Sequence, residues 1–408
     1  MHDLPVVFLG SNYYTALGGI RTLGRRGVKV YALDYDFSVA YGMVSRYVHE
    51  RVLCPNINKD EAGLVDFLIK FSNRFSQKPV LIASHDAYAI MVSRNSERLS
   101  QHYLFHQLPA GLLEQIVDKR GLYSLAVQHQ AKMPKTYFPA SDMEDEQVSQ
   151  EISYPCLVKP SISYLFVKLF HKKCFIANNR DELLSALAIA RGADIDVMVQ
   201  QLIPGFDDHM YVLDVFIGQN GEVTHTMQAQ KLRQFPINFG SSTLTHQCYV
   251  PDFIESGIEF LKKINYRGYC EIEYKQHDET NEFYMIEINA RLSSLNVLFD
   301  ACGMEFTYMM YRDLIGEPLP PKHLQEDLNV AFYHFYEDIF SVRGYAQTGQ
   351  LSWGQMIRPF LQHKKAYAVW AWDDLKPVFF FNKLMLSRIL KNKLGSKEGA
   401  SSVQENQA

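Results

Sequence analysis

Two strands near residue 280 constrain the fold of this chain more than any other segment. Residues 269–275 and 284–293 alternate apolar and polar side chains, and the polar stretch 277–282 separates them. Because side chains alternate between the two faces of a strand, this pattern predicts a hairpin in which Glu273 lies opposite Glu287. The Cβ atoms of directly opposed residues are about 5 Å apart.

Two opposed carboxylates repel each other, and a sheet keeps such a pair when a cation lies between them. At 4 Å and an effective dielectric constant near 20, the repulsion is roughly 4 kcal/mol. Asn289 adds an amide oxygen to the same face. Oxygen ligands without His or Cys favour Mg²⁺ or Mn²⁺, and Mg²⁺ usually takes further ligands from substrate phosphates. Arg291, one strand step further, would place its guanidinium beside those phosphates. A solvated hairpin with alternating charge is the alternative interpretation.

Glu273 followed by Glu287-Ile-Asn289-Ala-Arg291 resembles the metal hairpin of the ATP-grasp superfamily. Ala290 stands where that superfamily often has Pro. The resemblance implies that Glu273, Glu287 and Asn289 hold Mg²⁺ or Mn²⁺ against the phosphates of ATP. It also implies that Arg291 stabilises the transferred phosphoryl group.

Other segments resemble the ATP site of the same superfamily and occur in its order along the chain. The apolar strand 154–160 carries Lys159 near its end, and a buried ammonium group needs an anionic partner. Residues 197–205 resemble the segment that binds adenine through backbone groups, and the acid after their Pro-Gly pair would hold the ribose. Asp207 and Asp208 both fit that position, and a polar turn is the alternative for both. The resemblance assigns ATP binding to Lys119, Lys159, Lys173, Gln201, Leu202, Ile203, Asp207 and Asp208.

Three further segments bear on this site. Lys119 lies at the start of a helix, where a solvent-facing position explains it equally well. Lys231 and Arg233 precede a Gly- and Ser-rich loop, which predicts a catalytic anion pocket for an acyl phosphate or a substrate carboxylate; an exposed basic turn is the alternative. Residues 161–173 contain no glycine, although many ATP-grasp enzymes cover the phosphates with a glycine-rich flap. Hydroxyl groups and lysines, Lys173 among them, would replace it.

The N-terminal segment predicts an open α/β sheet. A buried strand at 5–10, a helix at about 15–26 and a strand at 28–34 form a βαβ start, which favours parallel strands. The glycines here do not form the G-x-G-x-x-G dinucleotide motif. Asp86 follows the strand 80–84 at the edge where ligands of such sheets gather, and a helix N-cap is the alternative.

Pattern and resemblance together predict the α/β fold class and a division of the chain. The prediction is an ATP-grasp fold with a Rossmann-like pre-ATP-grasp domain at 1–115, an ATP-grasp domain at 116–320 (subdomains 116–205 and 206–320), an aromatic-rich C-terminal extension at 321–395 and a disordered tail at 396–408.

Composition argues against several partners and compartments. The formal net charge is −4 and the pI is about 6.4, which argues against nucleic-acid binding. The six cysteines are scattered without a CxxC pair, as is typical of reduced thiols in a cytoplasmic protein. We find no secretory signal and no apolar run that could span a bilayer.

The helix at 376–394 has a basic end, which fits packing on the core or contact with an anionic membrane surface. The oligomeric state stays open, with a dimer as one option.

The function implied by the resemblance is an ATP-dependent carboxylate–amine ligase. The N-terminal half and the aromatic tail resemble D-aspartate ligase-like enzymes, which points to an acyl phosphate intermediate and an amide product made from small-molecule substrates. Free amino acids, cell-wall peptide precursors and polysaccharide amines all remain acceptable substrates. A biotin-type carboxylase that uses bicarbonate and a non-catalytic ATP-binding regulatory module are the alternatives.

Overall fold

A computed structural model describes residues 4–160, 166, 169–170, 172–362 and 364–388. Most of the predicted flap 161–173 therefore lies outside the described residues, as do the helix end beyond 388 and the predicted tail 396–408.

The N-terminal part is a parallel α/β sheet, as its βαβ pattern predicts. Its elements are β1 (Val6–Leu9), α1 (Tyr14–Arg25), β2 (Val30–Asp34), a 3₁₀ helix (Tyr41–Val44), β3 (Val48–Leu53), α2 (Glu61–Ser72), β4 (Val80–Ala83), α3 (Asp86–Arg94) and α4 (Ser96–Leu99). The strands lie in the order β3-β2-β1-β4, and all neighbours are parallel. Strand β1 is buried on both faces, because α1 covers one face and α2 and α3 cover the other.

A second, smaller sheet follows. Its segment contains α5 (Leu112–Val117), α6 (Lys119–Gln128), β5 (Thr136–Tyr137), α7 (Asp142–Glu151), β6 (Cys156–Pro160), β7 (Phe175–Ala177), α8 (Arg180–Gly192) and β8 (Val197–Gln201). The four strands are antiparallel in the order β5-β8-β6-β7. Apolar side chains of α7 and α8 pack on one face of this sheet, which leaves the other face available to a ligand.

The rest of the chain builds a large mixed sheet. Its elements are a 3₁₀ helix (Asp207–His209), β9 (Met210–Ile217), β10 (Val223–Phe235), β11 (Ser241–Cys248), a 3₁₀ helix (Pro251–Phe253), α9 (Ile254–Lys263), β12 (Gly268–Gln276), β13 (Phe283–Asn289), α10 (Asn296–Ala301), α11 (Phe306–Leu314), β14 (Lys322–His323), β15 (Val330–Tyr333), α12 (Phe335–Thr348), α13 (Trp353–Gln362), β16 (Lys364–Tyr367) and α14 (376–388). The strand order is β13-β12-β9-β10-β11-β15-β16, with β14 paired to β10.

The C-terminal segment is part of this sheet. Strands β15 and β16 extend the sheet beyond β11, and Phe381 of α14 packs against Tyr41 with 5.3 Å between ring centroids. Arg21 of α1 donates from Nε to a carboxylate oxygen of Asp374 at 3.0 Å, and both residues are buried. The C-terminal segment therefore packs against the N-terminal part. The domain boundaries given above stay a prediction.

Among the described residues, no helix combines the length and the hydrophobicity needed to cross a lipid bilayer. All six cysteines are free and buried.

Candidate active site

The predicted hairpin is formed by β12 and β13. Glu273 pairs with Glu287 and Glu271 pairs with Asn289, so the predicted register is confirmed. The turn closes where the N–H of His277 donates to the carbonyl of Glu282 at 2.9 Å. Acidic side chains on the two strands therefore face each other.

A cleft of about 920 Å³ opens along this hairpin. It lies between the smaller sheet, the edge of the N-terminal sheet and the large sheet. The predicted site residues that line it are Lys119, Lys159, Lys173, Gln201, Leu202, Ile203, Asp207, Lys231, Glu273, Glu287, Asn289 and Arg291. Most of the residues that the sequence assigns to one site are therefore brought together.

Lys231 is held by the acidic cluster. Its ammonium group donates to Glu273 Oε2 at 2.6 Å, and its side chain is almost fully buried. Burial alone would lower the pKa of Lys231, but the carboxylates of Glu273, Glu271 and Glu287 raise it. The pattern predicted a free cation in an anion pocket, whereas Lys231 neutralises Glu273 at the floor of the cleft.

The carboxylate of Glu287 is available for a cation. It is exposed to the cleft, and the hydrogen bonds of the described residues include none to its carboxylate, whereas Lys231 holds Glu273. The walls of the cleft limit the hydration of this carboxylate, and this desolvation together with repulsion by Glu273 raises the pKa of Glu287. A carboxylate without a hydrogen-bond donor among the described residues, next to a second carboxylate, suits a hard divalent cation. Within the described chain, no three Asp, Glu, His or Cys side chains form a metal site by themselves, so Mg²⁺ here would need ligands from a nucleotide.

Glu271 joins this cluster, although no site role was predicted for it. It is buried, accepts a hydrogen bond from Asn289 Nδ2 at 3.0 Å and another from the hydroxyl of Ser293. Desolvation and the neighbouring Glu273 raise its pKa. Its alternation with Glu273 along β12 was the available signal. Glu271 fixes the amide of Asn289 and so orients the third predicted metal ligand.

Arg291 connects the hairpin to the N-terminal sheet. It donates from Nε to Asp86 Oδ1 at 3.0 Å and from a terminal nitrogen to Asn289 Oδ1 at 3.1 Å. Asp86 is the first residue of α3 and His85 is the N-cap residue, so the N-cap alternative for Asp86 was wrong. The ion pair places Arg291 in the cleft between the two sheets.

Lys159 lies in β6 and points into the cleft. Its ammonium group donates to Gln200 Oε1 at 2.7 Å, and Gln200 donates from Nε2 to the hydroxyl of Thr136 at 2.9 Å. Removal from water lowers the pKa of Lys159 to about 8. Gln200 and Thr136 were not predicted; a glutamine inside the apolar strand β8 was the signal for Gln200. Lys159 is thus a poorly solvated cation that an anionic ligand would stabilise.

Lys119 and Lys173 flank the same cavity. Lys119 donates to the carbonyl of Pro160 at 2.7 Å, and Lys173 donates to the carbonyl of Phe239 at 2.8 Å. Burial lowers the pKa of both ammonium groups. The solvent-facing alternative for Lys119 was wrong, because this lysine lines the cleft.

The predicted adenine segment follows β8. The N–H of Gln201 donates to the carbonyl of Lys135 at 2.8 Å. Leu202 and Ile203 make no backbone hydrogen bond to the described part of the chain, so their peptide groups can bond a ligand. Asp207 is buried and lines the cleft, whereas Asp208 is exposed and bonds its neighbour His209 at 2.9 Å. Their placement favours Asp207 over Asp208 as the ribose acid.

Arg233 does not line the cleft, so the prediction that it belongs to a catalytic anion pocket was wrong. Its guanidinium donates to both carboxylate oxygens of Asp338, at 2.7 Å and 2.6 Å, and to the carbonyl of Met356 at 2.7 Å. Arg233 and Asp338 are buried. The side chain therefore fastens the C-terminal segment to β10.

We expect Arg233→Lys to lower the free energy of unfolding by about 1–3 kcal/mol, because an ammonium group keeps the charge but loses the bidentate hydrogen bonding to Asp338. Denaturant unfolding measures this. Arg74→Lys is the matched control: Arg74 forms an exposed two-pronged pair with Glu50, and its replacement is expected to change stability by less than about 1 kcal/mol. Unchanged stability together with lost turnover would indicate that Arg233 acts in the catalytic anion pocket after all.

Half of the chain matches one family. The model described as "Carbamoyl-phosphate synthase L chain, ATP binding domain" matches residues 118–322. A D-aspartate ligase of Enterococcus faecium (strain Aus0004) is 25% identical over 317 residues, which cover 71% of this chain and 75% of that protein. The mitochondrial arginine-specific carbamoyl phosphate synthase large chain of Schizosaccharomyces pombe is 24% identical over 213 residues, covering 50% of this chain and 18% of that protein.

Solved structures share the fold at lower identity. The biotin carboxylase domain of Hydrogenobacter thermophilus 2-oxoglutarate carboxylase, in complex with MgADP, ADP and bicarbonate, has a TM-score of 0.62 at 16% identity and covers 80% of this chain and 73% of that one. The N5-carboxyaminoimidazole synthetase of Staphylococcus aureus has a TM-score of 0.59 at 13% identity, covering 79% and 80%. The predicted ATP-grasp fold is confirmed.

Proposed function

The chain belongs to the family of the carbamoyl-phosphate synthase L chain ATP-binding domain, an ATP-grasp family of ligases and synthetases, and we propose that it is a carboxylate–amine ligase that forms an amide through an acyl phosphate. The observation that supports this most is that Glu287, which lies opposite Glu273 and accepts no hydrogen bond from the described residues, lines the same cleft as Lys159 and Arg291. The cationic side chains of such a cleft can neutralise the charge of a triphosphate, and its carboxylates can bind the accompanying metal ion.

The proposed reaction has two steps. An oxygen of the substrate carboxylate attacks the γ-phosphorus of ATP, which breaks the bond to the β-phosphate oxygen and gives an acyl phosphate and ADP. The nitrogen of a neutral amine then attacks the acyl carbon, the bond from this carbon to the phosphate oxygen breaks, and the products are an amide, inorganic phosphate and a proton. The protein contributes position and charge rather than a covalent intermediate.

Each group in the cleft has a proposed role in those steps. Lys119, Lys159 and Lys173 would bind phosphate oxygens, and Arg291 would stabilise the phosphoryl group during transfer. Glu273, Glu287 and Asn289 would hold Mg²⁺, or Mn²⁺ in its place, which when bound neutralises the phosphate charge. Lys231 would keep Glu273 in place.

Substrate and cell context are proposed from the relatives. The resemblance to a D-aspartate ligase suggests an amino acid such as D-aspartate as one substrate and a cell-wall or polysaccharide precursor as the other. We also propose a cytoplasmic location and a dimer. Membrane contact through the basic end of α14 is a further proposal. Packing on the core is the alternative, because α14 buries Val378 and Met385 within the molecule.

One assay separates this function from its alternatives. The protein, ATP and Mg²⁺ are incubated with single amino acids and with hydroxylamine, which replaces the unknown amine and converts an acyl phosphate into a hydroxamate. Hydroxamate and ADP formed with an amino acid would support the ligase. Stimulation of ADP release by bicarbonate alone would support a biotin-type carboxylase, and ATP binding without either would indicate a regulatory module.

A further inference from the structure

One face of helix α12, in the C-terminal segment, makes hydrogen bonds to strand β10 beside the cleft. Asp338, Ser341 and Tyr345 have the spacing i, i+3 and i+7, which places them on the same side of a helix. All three are buried. Asp338 binds Arg233, and Ser341 donates from its hydroxyl to the carbonyl of Gln234 at 2.8 Å. The helix starts at Phe335, beyond the residues 118–322 that the family model matches.

Tyr345 reaches the cleft wall through Asp207. Its hydroxyl donates to Asp207 Oδ2 and accepts from the N–H of Gln234 at 3.2 Å. Gln234 Nε2 donates to Asp207 Oδ1 at 2.7 Å, and the N–H of Asn238 donates to Oδ2 at 2.9 Å. Desolvation raises the pKa of Tyr345, so the phenol keeps its proton and stays a donor.

Among the described residues three donors bind Asp207, which leaves its carboxylate one further acceptor direction. A carboxylate offers about four lone-pair sites, and Tyr345, Gln234 and Asn238 use three of them. Asp207 lines the cleft while Tyr345 lies behind it. The remaining direction can accept a hydroxyl group of a ligand, and the orientation of that direction depends on Tyr345.

Gln350 supplies a second, independent observation from the same segment. It lines the cleft, and its Oε1 is buried without a hydrogen-bond donor among the described residues. A buried acceptor without a donor is costly, and a hydroxyl or amino group of a ligand would satisfy it.

We infer that residues 335–350, outside the matched family domain, complete the nucleotide site: Tyr345 is a positioning residue that orients Asp207 toward the ribose hydroxyls, and Gln350 accepts a hydrogen bond from the nucleotide. This inference rests on the proposed ATP-binding function. It makes ribose recognition depend on a helix that the family model does not include.

The test compares nucleotides with and without ribose hydroxyls. Calorimetry in the presence of Mg²⁺ gives the affinity for ATP and for 2′,3′-dideoxy-ATP. Wild type is expected to prefer ATP. Tyr345→Phe is expected to bind ATP about tenfold more weakly and to lose most of this preference, because its Asp207 is no longer oriented.

Two further variants keep the test decisive. Tyr103→Phe removes a buried hydroxyl that donates to the carbonyl of Leu68 at 2.6 Å in the N-terminal part, and it should keep the wild-type preference. Gln350→Leu removes an acceptor that has no partner among the described residues, so it should fold normally and bind ATP more weakly. It carries the test if Tyr345→Phe does not fold.

The outcomes separate this inference from the function on which it rests. Wild type that binds no ATP would refute the proposed function, and the inference with it. Wild type that binds ATP, together with a Tyr345→Phe variant that prefers ATP as strongly as wild type, would refute only the positioning role. Unchanged ATP affinity in Gln350→Leu would refute the contact from Gln350.

Discussion

Glu287→Gln is expected to reduce ATP-dependent ligase turnover by about 100- to 1000-fold while the protein remains folded. Glu287 lines the cleft and accepts no hydrogen bond from the described residues, so its carboxylate is available to a cation. Glutamine replaces this charged oxygen ligand by a neutral one. Mg²⁺-dependent ATP uptake is expected to weaken in parallel, and calorimetry measures it separately from turnover.

Stability should not fall in this variant, for a local reason. Glu287 has no hydrogen bond to the described residues that the substitution could break. It pairs with Glu273, and desolvation in the cleft together with this neighbour raises the pKa of Glu287. A neutral amide removes the repulsion, so the midpoint of thermal unfolding is expected to stay the same or to rise.

Glu279→Gln is the matched control for this prediction. Glu279 lies exposed in the turn of the same hairpin and does not line the cleft, so turnover should match wild type. Wild-type turnover in Glu287→Gln would contradict the proposal that this hairpin binds the metal ion. An unfolded Glu287→Gln protein would contradict the local argument about stability.

The hairpin could be predicted from sequence because its information is local. Alternation fixes which side chains share a face, and a slip of one residue would move all of them to the other face. Glu273 and Glu287 are separated by a short turn, so few registers are available. The same locality explains the correct βαβ start, where β1 and β2 pair in parallel.

Arg233 could not be placed from sequence, because its partner is distant and its strand is irregular. Spacing along β10 puts Lys231 and Arg233 on one face, but the pairing with β11 shifts register on either side of Arg233. The shifts accompany a side chain that points to Asp338, 105 residues away. A single sequence gives no signal for such a contact.

Asp207 and Asp208 could not be distinguished from sequence for a related reason. Adjacent polar residues after a Pro-Gly turn look equivalent in sequence. A 3₁₀ helix at Asp207–His209 buries the first acid and exposes the second. The donors that hold Asp207 come from β10 and α12, so only the folded chain separates the two.

Lys159→Met is expected to weaken ATP binding about 10- to 100-fold, the loss of one or two hydrogen bonds between a charged donor and phosphate. Lys159 has a pKa of about 8 in the folded protein because burial removes its water. Bound phosphate favours the protonated form. ATP affinity of the wild type should therefore fall as the pH rises above about 8, by up to about tenfold per unit, and this dependence should be weaker in the variant.

The same lysine makes an independent prediction about stability. An unfolded lysine has a pKa near 10.4, above the folded value of about 8. Below pH 8 both states hold the proton, and the folded state bears the full penalty of a buried charge. Between about pH 8 and 10 the unfolded state binds more protons, so the contribution of Lys159 to the free energy of unfolding rises with pH.

Lys159→Met lacks this titration, so its stability relative to wild type should decline as the pH rises from 7 to 9.5. Methionine also leaves Gln200 Oε1 without its donor, which lowers stability equally at every pH; the trend is therefore the test. Denaturant unfolding at several pH values measures it, with Lys59→Met at an exposed position as the control. A constant difference would show that Lys159 is well hydrated, and unaltered ATP affinity would show that it does not bind phosphate.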